Sequence, residues 1–157
     1  MDRPWGGRVD SVGRTLQVFD DPWTFAVLRE AFFGVRRFDD FAGHLDISRN
    51  VLSNRLEHLV AQGVLEKRLY QSRPDRYEYR LTDRGRDMYP IFLALMRWGD
   101  RWLAGPDGVP LVLVHRPCGA TTAPNPVCDS CGEPLQARDM DYKPGPGATG
   151  TGAPGPG

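Results

Sequence analysis

Apolar residues recur along this chain at two different periods, and the switch between them outlines the fold. From Ser48 to Gly63, Leu52, Leu56, Leu59 and Val60 share one face of a 3.6-residue helix, while Arg49, Asn50, Asn54 and Glu57 lie away from its centre. The N-terminal turns of that helix carry Ser48, Arg49, Asn50, Ser53, Asn54 and Arg55. Short amides and guanidinium forks of this kind suit hydrogen bonding to base edges and phosphates. An amphipathic core helix capped by Ser48 accounts for the apolar stripe equally well, so the flanking segments decide between the two readings.

Upstream, Val12, Leu16 and Phe19 stand four and three residues apart and predict a short first helix ending near Asp20 and Asp21. Asp21 followed by Pro22 reads as the N-cap and first residue of a second helix, with Trp23, Val27, Leu28 and Ala31 at helical spacing and Gly34 as its stop. Trp23 is expected to anchor the core. A third helix of about eight residues begins near Phe38 and turns Phe38, Phe41 and Leu45 inward, and Asp46 and Ile47 leave only a brief turn before Ser48. Two helices joined so tightly make a helix-turn-helix, whose second helix can enter a major groove. Arg36 and Arg37, just ahead of the third helix, are placed either for phosphates or simply as solvated surface charges.

After Gly63 the period drops from 3.6 to 2. Residues 64–70, a polar loop QSRPD and residues 76–82 read as a β-hairpin, with Tyr77, Tyr79 and Leu81 on one face and Arg76, Glu78 and Arg80 on the other. A hairpin directly behind a helix-turn-helix is a wing, and Arg73 and Arg76 sit at or near its tip, where cations can reach the minor groove or its rim.

With these blocks in this order, residues from about 12 to 103 resemble the HxlR-type winged-helix transcriptional regulators, relatives of the multiple-antibiotic-resistance regulators. The stretches that carry the resemblance are PWTFAVLREAFFGVRRFDDF, ISRNVLSNRLEHLVAQGVLEKRLY, RPDRYEYRLTDRG and the Trp-Gly of MRWGD. The resemblance implies a homodimer on a pseudo-palindromic double-stranded DNA operator, regulation of nearby genes, and a small-molecule effector as a further candidate partner. Many members carry a redox- or electrophile-sensing Cys thirteen residues before the Trp of the second helix, where this chain has Asp10. No Cys precedes Cys118, so that switch, which requires a thiolate, is not available to the helix-turn-helix region.

Residues 82–105 predict a longer helix with Thr82 as N-cap and a kink at Pro90. Its apolar residues, among them Phe92, Leu95, Trp98 and Trp102, cover more than one narrow stripe, which calls for burial against a partner. The resemblance places a dimer interface on this helix together with Leu16 and Phe19 of the first.

Beyond it the pattern changes again. Residues 105–110 read as a linker, and residues 111–143 hold His115 and Cys118, then Cys128 and Cys131, with nine residues between the pairs and each pair followed by Gly. Both halves have the spacing of a zinc-ribbon knuckle. Four such ligands would close a tetrahedral Cys3His site, expected to be structural zinc that folds a segment too small to hold itself. A redox pair at CDSCG, or a metal- or redox-responsive role for the three thiols, stays open beside it. Residues 144–157 are Gly, Pro, Ala and Thr only and are expected to be disordered, as are residues 1–10.

The whole reads as a mainly α fold with a β-hairpin wing across 11–104 and a small zinc-ribbon-like appendage. Twenty basic and twenty acidic residues cancel, so total charge announces no polyanion partner. Its distribution does: from Ser48 to Arg86 nine Lys or Arg face five Asp or Glu, a local excess of four. No signal-like stretch opens the chain and no run nears the roughly 20 apolar residues that span a bilayer, so a cytoplasmic, non-membrane protein is expected. No catalytic constellation emerges, and an enzyme is not expected. The rival reading of the winged helix is a protein-interaction module.

Overall fold

Short polar side chains set where the helices begin. In the computed structural model, which describes residues 10–123, 125–134 and 138, Asp10 caps α1 (Ser11–Val18) by accepting from the Gly13 N–H at 2.7 Å. Asp21 accepts from the Trp23 N–H at 2.7 Å and, with Pro22 behind it, opens α2 (Pro22–Phe32). After α3 (Phe38–Leu45), Ser48 Oγ accepts from the Val51 N–H at 3.3 Å and starts α4 (Arg49–Ala61). The expectations for residues 1–9 and 144–157 lie outside the described residues.

The chain divides into two units, the first running from Asp10 to Pro90. In its core, Val27, Leu28 and Ala31 of α2 meet Phe41 and Leu45 of α3 and Leu52, Leu56 and Leu59 of α4, with Val64, Leu65, Tyr79 and Met88 beneath. α2 turns Thr24 inward along with Val27, Leu28 and Ala31, a stripe at positions i, i+3, i+4 and i+7. Trp23, expected as the core anchor, stands one residue off that stripe and is 39% exposed. Two polar ties reinforce the packing. The buried Glu30 carboxylate lies 3.0 Å from Nδ1 of His44 and accepts from Arg29 Nε, and His58 Nε2 donates to the Val18 carbonyl at 2.8 Å.

Gly63 (φ 69°) ends α4, and the chain enters an antiparallel hairpin of β1 (Leu65–Ser72) and β2 (Asp75–Leu81). Leu65 pairs with Leu81 at its root and Ser72 with Asp75 at its tip, with a register shift between Leu69 and Gln71. The expected alternation holds at the root, where Tyr79 is buried, but Tyr77, nearer the tip, is 39% exposed.

The long helix expected from Thr82 is interrupted. A short α5 (Asp83–Arg86) follows the Thr82 cap, and α6 (Tyr89–Trp102) starts afresh after the buried Met88. Pro90 therefore falls in the first turn of a new helix, where its missing N–H costs nothing, and there is a break in place of the kink. Thr82 Oγ1 donates to the Gly63 carbonyl at 2.6 Å, which pins α5 to the hairpin root. The approach is so close that a Cβ on Gly85 would lie 2.2 Å from the Val64 carbonyl oxygen.

The division after Pro90 assigns the body of α6 to the second unit, whereas the sequence predicts one domain over 11–104. α6 has no buried residue: Ile91, Leu95, Trp98 and Trp102 are between 44% and 62% exposed. At its start, Tyr89 packs edge-on against the Phe32 ring, centroids 5.0 Å apart. Among the other described residues of this unit the strands are two residues long, β3 (Val114–His115) paired with β4 (Ala120–Thr121). Among the described residues no helix is long and apolar enough to cross a membrane.

Candidate nucleic-acid interface

The polar half of α4 is what the core leaves over. Leu52, Leu56 and Leu59 are fully buried, so the helix must turn Arg49, Asn50 and Asn54 outward. Asn50 and Asn54 are one turn apart, exposed, and without a hydrogen-bond partner among the described residues. Ser48 Oγ accepts from the Val51 N–H in the helix cap and keeps its own proton to donate, whereas Ser53 Oγ donates to Glu57 Oε1 at 3.2 Å. Arg49 is held over the Phe38 ring at 4.7 Å and pairs with Asp39 at 2.9 Å, both side chains well exposed. An exposed ion pair of this sort contributes roughly 0–1 kcal/mol, so a phosphate or a guanine edge can displace Asp39.

Arg55 is placed differently from the expectation that it holds phosphate. Its guanidinium turns back to Asp20 at 3.7 Å and Asp21 at 3.9 Å, with only 26% of the side chain exposed. The helical period explains this, since Arg55 lies one position before the buried Leu56 and points toward the start of α2. Phe19, expected at a dimer interface, is buried in the protomer, its ring 5.3 Å from that of Phe25. Leu16 is half-buried.

The segment before α3 joins the wing rather than standing apart. The Tyr79 N–H donates to the Arg36 carbonyl at 2.7 Å, Arg37 bridges Glu78, and the Arg37 guanidinium lies 4.9 Å from the Tyr70 ring centre. This third rung is two residues long, too short to show a period in the sequence. It keeps the exposed Arg36 and Arg37 beside the hairpin.

Along the wing the cations are sorted. Arg68 pairs with Glu66 and Arg80 with Glu78, each at 2.7 Å, and the Lys67 ammonium sits over the Tyr77 ring at 4.5 Å. At the tip, Arg73 and Arg76 are exposed and form no ion pair among the described residues. Of the hairpin arginines, those free to meet an external anion are thus the two at the tip. Asp39, Glu57 and Glu66, which tune the cations and the hydroxyl, are partners the sequence reading did not identify. Arg49 and Asp39 are ten residues apart, beyond any local spacing rule.

The expected metal ligands lie on two separate turns. His115 Nδ1 is 3.2 Å from Cys118 Sγ, and Cys128 receives hydrogen bonds from the backbone N–H groups of Cys131 and Ser130, which hold its thiol below the usual range. Among the described residues no three His, Cys, Asp or Glu converge as a metal site.

Residues 18–106 match the HxlR-like helix-turn-helix family. The chain is 47% identical over 138 residues to the HTH-type transcriptional regulator Rv3095 of Mycobacterium tuberculosis, covering 88% of this chain and 87% of that one. It is 34% identical to the HTH-type transcriptional regulator sll1512 of Synechocystis over 62% of this chain and 73% of that one. Among solved structures, the transcription factor PA1607 superposes with a TM-score of 0.79 at 33% identity, covering 87% of this chain and 96% of that one. The redox regulator HypR in its reduced form gives 0.56 at 30% identity, over 60% and 96%. These relatives are named as regulators or a transcription factor, none as an enzyme. With more than half its length matched to the family and the tight helix pair, wing and free polar helix face in place, the chain belongs to the HxlR-like helix-turn-helix family of winged-helix regulators.

Proposed function

We propose that this transcriptional regulator binds a pseudo-palindromic DNA operator as a homodimer, α4 of each copy entering a major groove and each wing tip gripping the minor groove or its rim. The observation that carries the reading is the pair Asn50 and Asn54: exposed, unpartnered amides on the free face of a helix otherwise given over to core. Asn matches the paired donor and acceptor of adenine, and Arg49, once released from Asp39, matches guanine; each bidentate contact contributes roughly 1–3 kcal/mol of discrimination. Arg36, Arg37, Arg73 and Arg76 hold phosphates and fix register. Ser48 adds its hydroxyl proton toward a phosphate, whereas Ser53 and Arg55 serve the helix and its scaffold and contribute less.

Support for the homodimer comes from α6. Ile91, Leu95, Trp98 and Trp102 recur at i, i+4, i+7 and i+11, one exposed apolar stripe on a helix with no buried residue. Phe92 borders it, half-buried. A self-complementary stripe suits a two-fold interface, which in turn suits a two-fold operator. For an effector, the best seat is an apolar cleft of about 340 Å³ lined by Leu93, Met96, Leu111 and Leu113 with Arg97 and Arg101, within the size range of small-ligand sites.

Mobility-shift titration against the chain's own upstream intergenic DNA tests the division of labour. Asn54→Ala is expected to relax sequence preference, whereas Arg73→Ala weakens all sequences alike and lowers the salt slope by about one. Identical behaviour of the two variants would refute it.

A further inference from the structure

The described chain after α6 has no buried core of its own. Among the described residues from Leu103 to Pro134 none is buried, and the only strands there are two residues long. Yet two turns in this stretch are built alike. In the first, the N–H groups of Cys118 and Gly119 donate to the His115 carbonyl at 3.2 and 2.7 Å, Gly119 has φ 70°, and the His115–Ala120 pair closes the base. In the second, the Gly132 N–H donates to the Cys128 carbonyl at 2.8 Å, Gly132 has φ 75°, and a bridge between Val127 and Pro134 closes the base. Each turn needs its left-handed glycine directly after the Cys, and each offers two donors on one short loop. His115 Nδ1 and Cys118 Sγ are already 3.2 Å apart, and backbone N–H groups of Cys131 and Ser130 point at Cys128 Sγ.

A lone redox pair accounts for the second turn only. It leaves the first, with a His and a Cys in the matching positions, without a purpose. An alignment of 138 residues in a chain of 157 must also run through residues 20–138 from whichever end it starts, so the likeness to Rv3095 takes in both turns and not the helix-turn-helix alone.

We propose that one zinc ion joins the two turns through His115, Cys118, Cys128 and Cys131. Three thiolates and an imidazole are the donor set that selects zinc, and four protein ligands leave no open position, so the ion is structural. Binding replaces three thiol protons, which pass to solvent, with a dication; no oxidant or reductant is needed. The ion supplies the cohesion that burial does not, drawing together two turns whose side chains do not meet as a set of three among the described residues.

The test is metal analysis and cobalt(II) titration of the full chain purified under reducing conditions. One zinc per chain is expected, with cobalt(II) giving the visible absorption of tetrahedral thiolate coordination. Cys118→Ser, His115→Ala and Cys128→Ser should each lower metal affinity by at least about tenfold. Limited proteolysis should cut after Leu103 only once a chelator is added, while residues 10–90 stay protected. A chain without metal in zinc-replete buffer would overturn the proposal. So would a Cys128–Cys131 disulfide in the purified protein, or zinc that survives both Cys118→Ser and His115→Ala. Because the readout is metal content, a failure of DNA binding leaves the outcome unaffected.

Discussion

Among the described residues the Asn50 and Asn54 side chains have no hydrogen-bond partner but Arg49 pairs with Asp39, so on the proposed reading Asp39 acts as a brake on binding. Asp39→Asn frees the guanidinium and removes an anion beside α4, so operator affinity should rise about two- to fivefold, the scale of a surface ion pair, as read by fluorescence anisotropy. Weaker binding would contradict this placement of Arg49. Gly85 is constrained from the opposite direction. A methyl there meets the Val64 carbonyl, so Gly85→Ala should cost roughly 1–3 kcal/mol in urea unfolding even though alanine is the better helix former. Burial raises the ionisation of the Tyr79 phenol above its usual value, helped by the Glu57 charge. Stability from keeping it neutral is complete below about pH 10 and is lost as pH climbs through the raised value. The difference in urea midpoint between the parent chain and Tyr79→Phe should therefore change only above about pH 10. Residue identities disclosed the caps at Asp21, Ser48 and Thr82, because a cap needs only its neighbours. They did not disclose the ties from Arg55 to Asp20 and Asp21 or from Arg49 to Asp39, which depend on how whole helices cross.

At the level of elements, α2 to α4 and the hairpin were legible because each satisfies one period throughout. Trp23 was misplaced since two overlapping stripes, one containing Trp23 and one containing Thr24, fit the same eleven residues, and only packing on α4 selects between them. The stretch after Thr82 misled for a related reason: its apolar pattern runs unbroken past Pro90, while the break is imposed by the hydrogen bond from Thr82 to the Gly63 carbonyl and by Met88 turning inward. The core of α4 is where its stability resides. Leu56→Ala removes a fully buried side chain and should cost about 2–5 kcal/mol in thermal or urea unfolding, with DNA binding lost alongside. On α6, Leu95→Asp places a charge in the centre of the exposed stripe without touching the first core. It should yield a folded monomer whose operator affinity falls by at least about tenfold, while an unchanged oligomeric state would remove α6 from the interface.

For the molecule as a whole, a balanced total charge hides an uneven surface, in which the arginines on the wing body are paired locally and those at the tip are left open. The proposed recognition by paired copies rests on two features that are far apart in sequence: a free amide face on α4 and an exposed apolar stripe on α6. On that reading neither suffices alone, since a single protomer offers one short helix face to DNA and leaves Trp98 and Trp102 in water. Sedimentation of the purified chain with a labelled duplex carrying its own upstream intergenic region, at physiological salt, tests this directly. The account predicts a species of about 35 kDa free, twice the 17.6 kDa chain, and two chains per duplex when bound. A lone protomer that sediments independently of the duplex would contradict it.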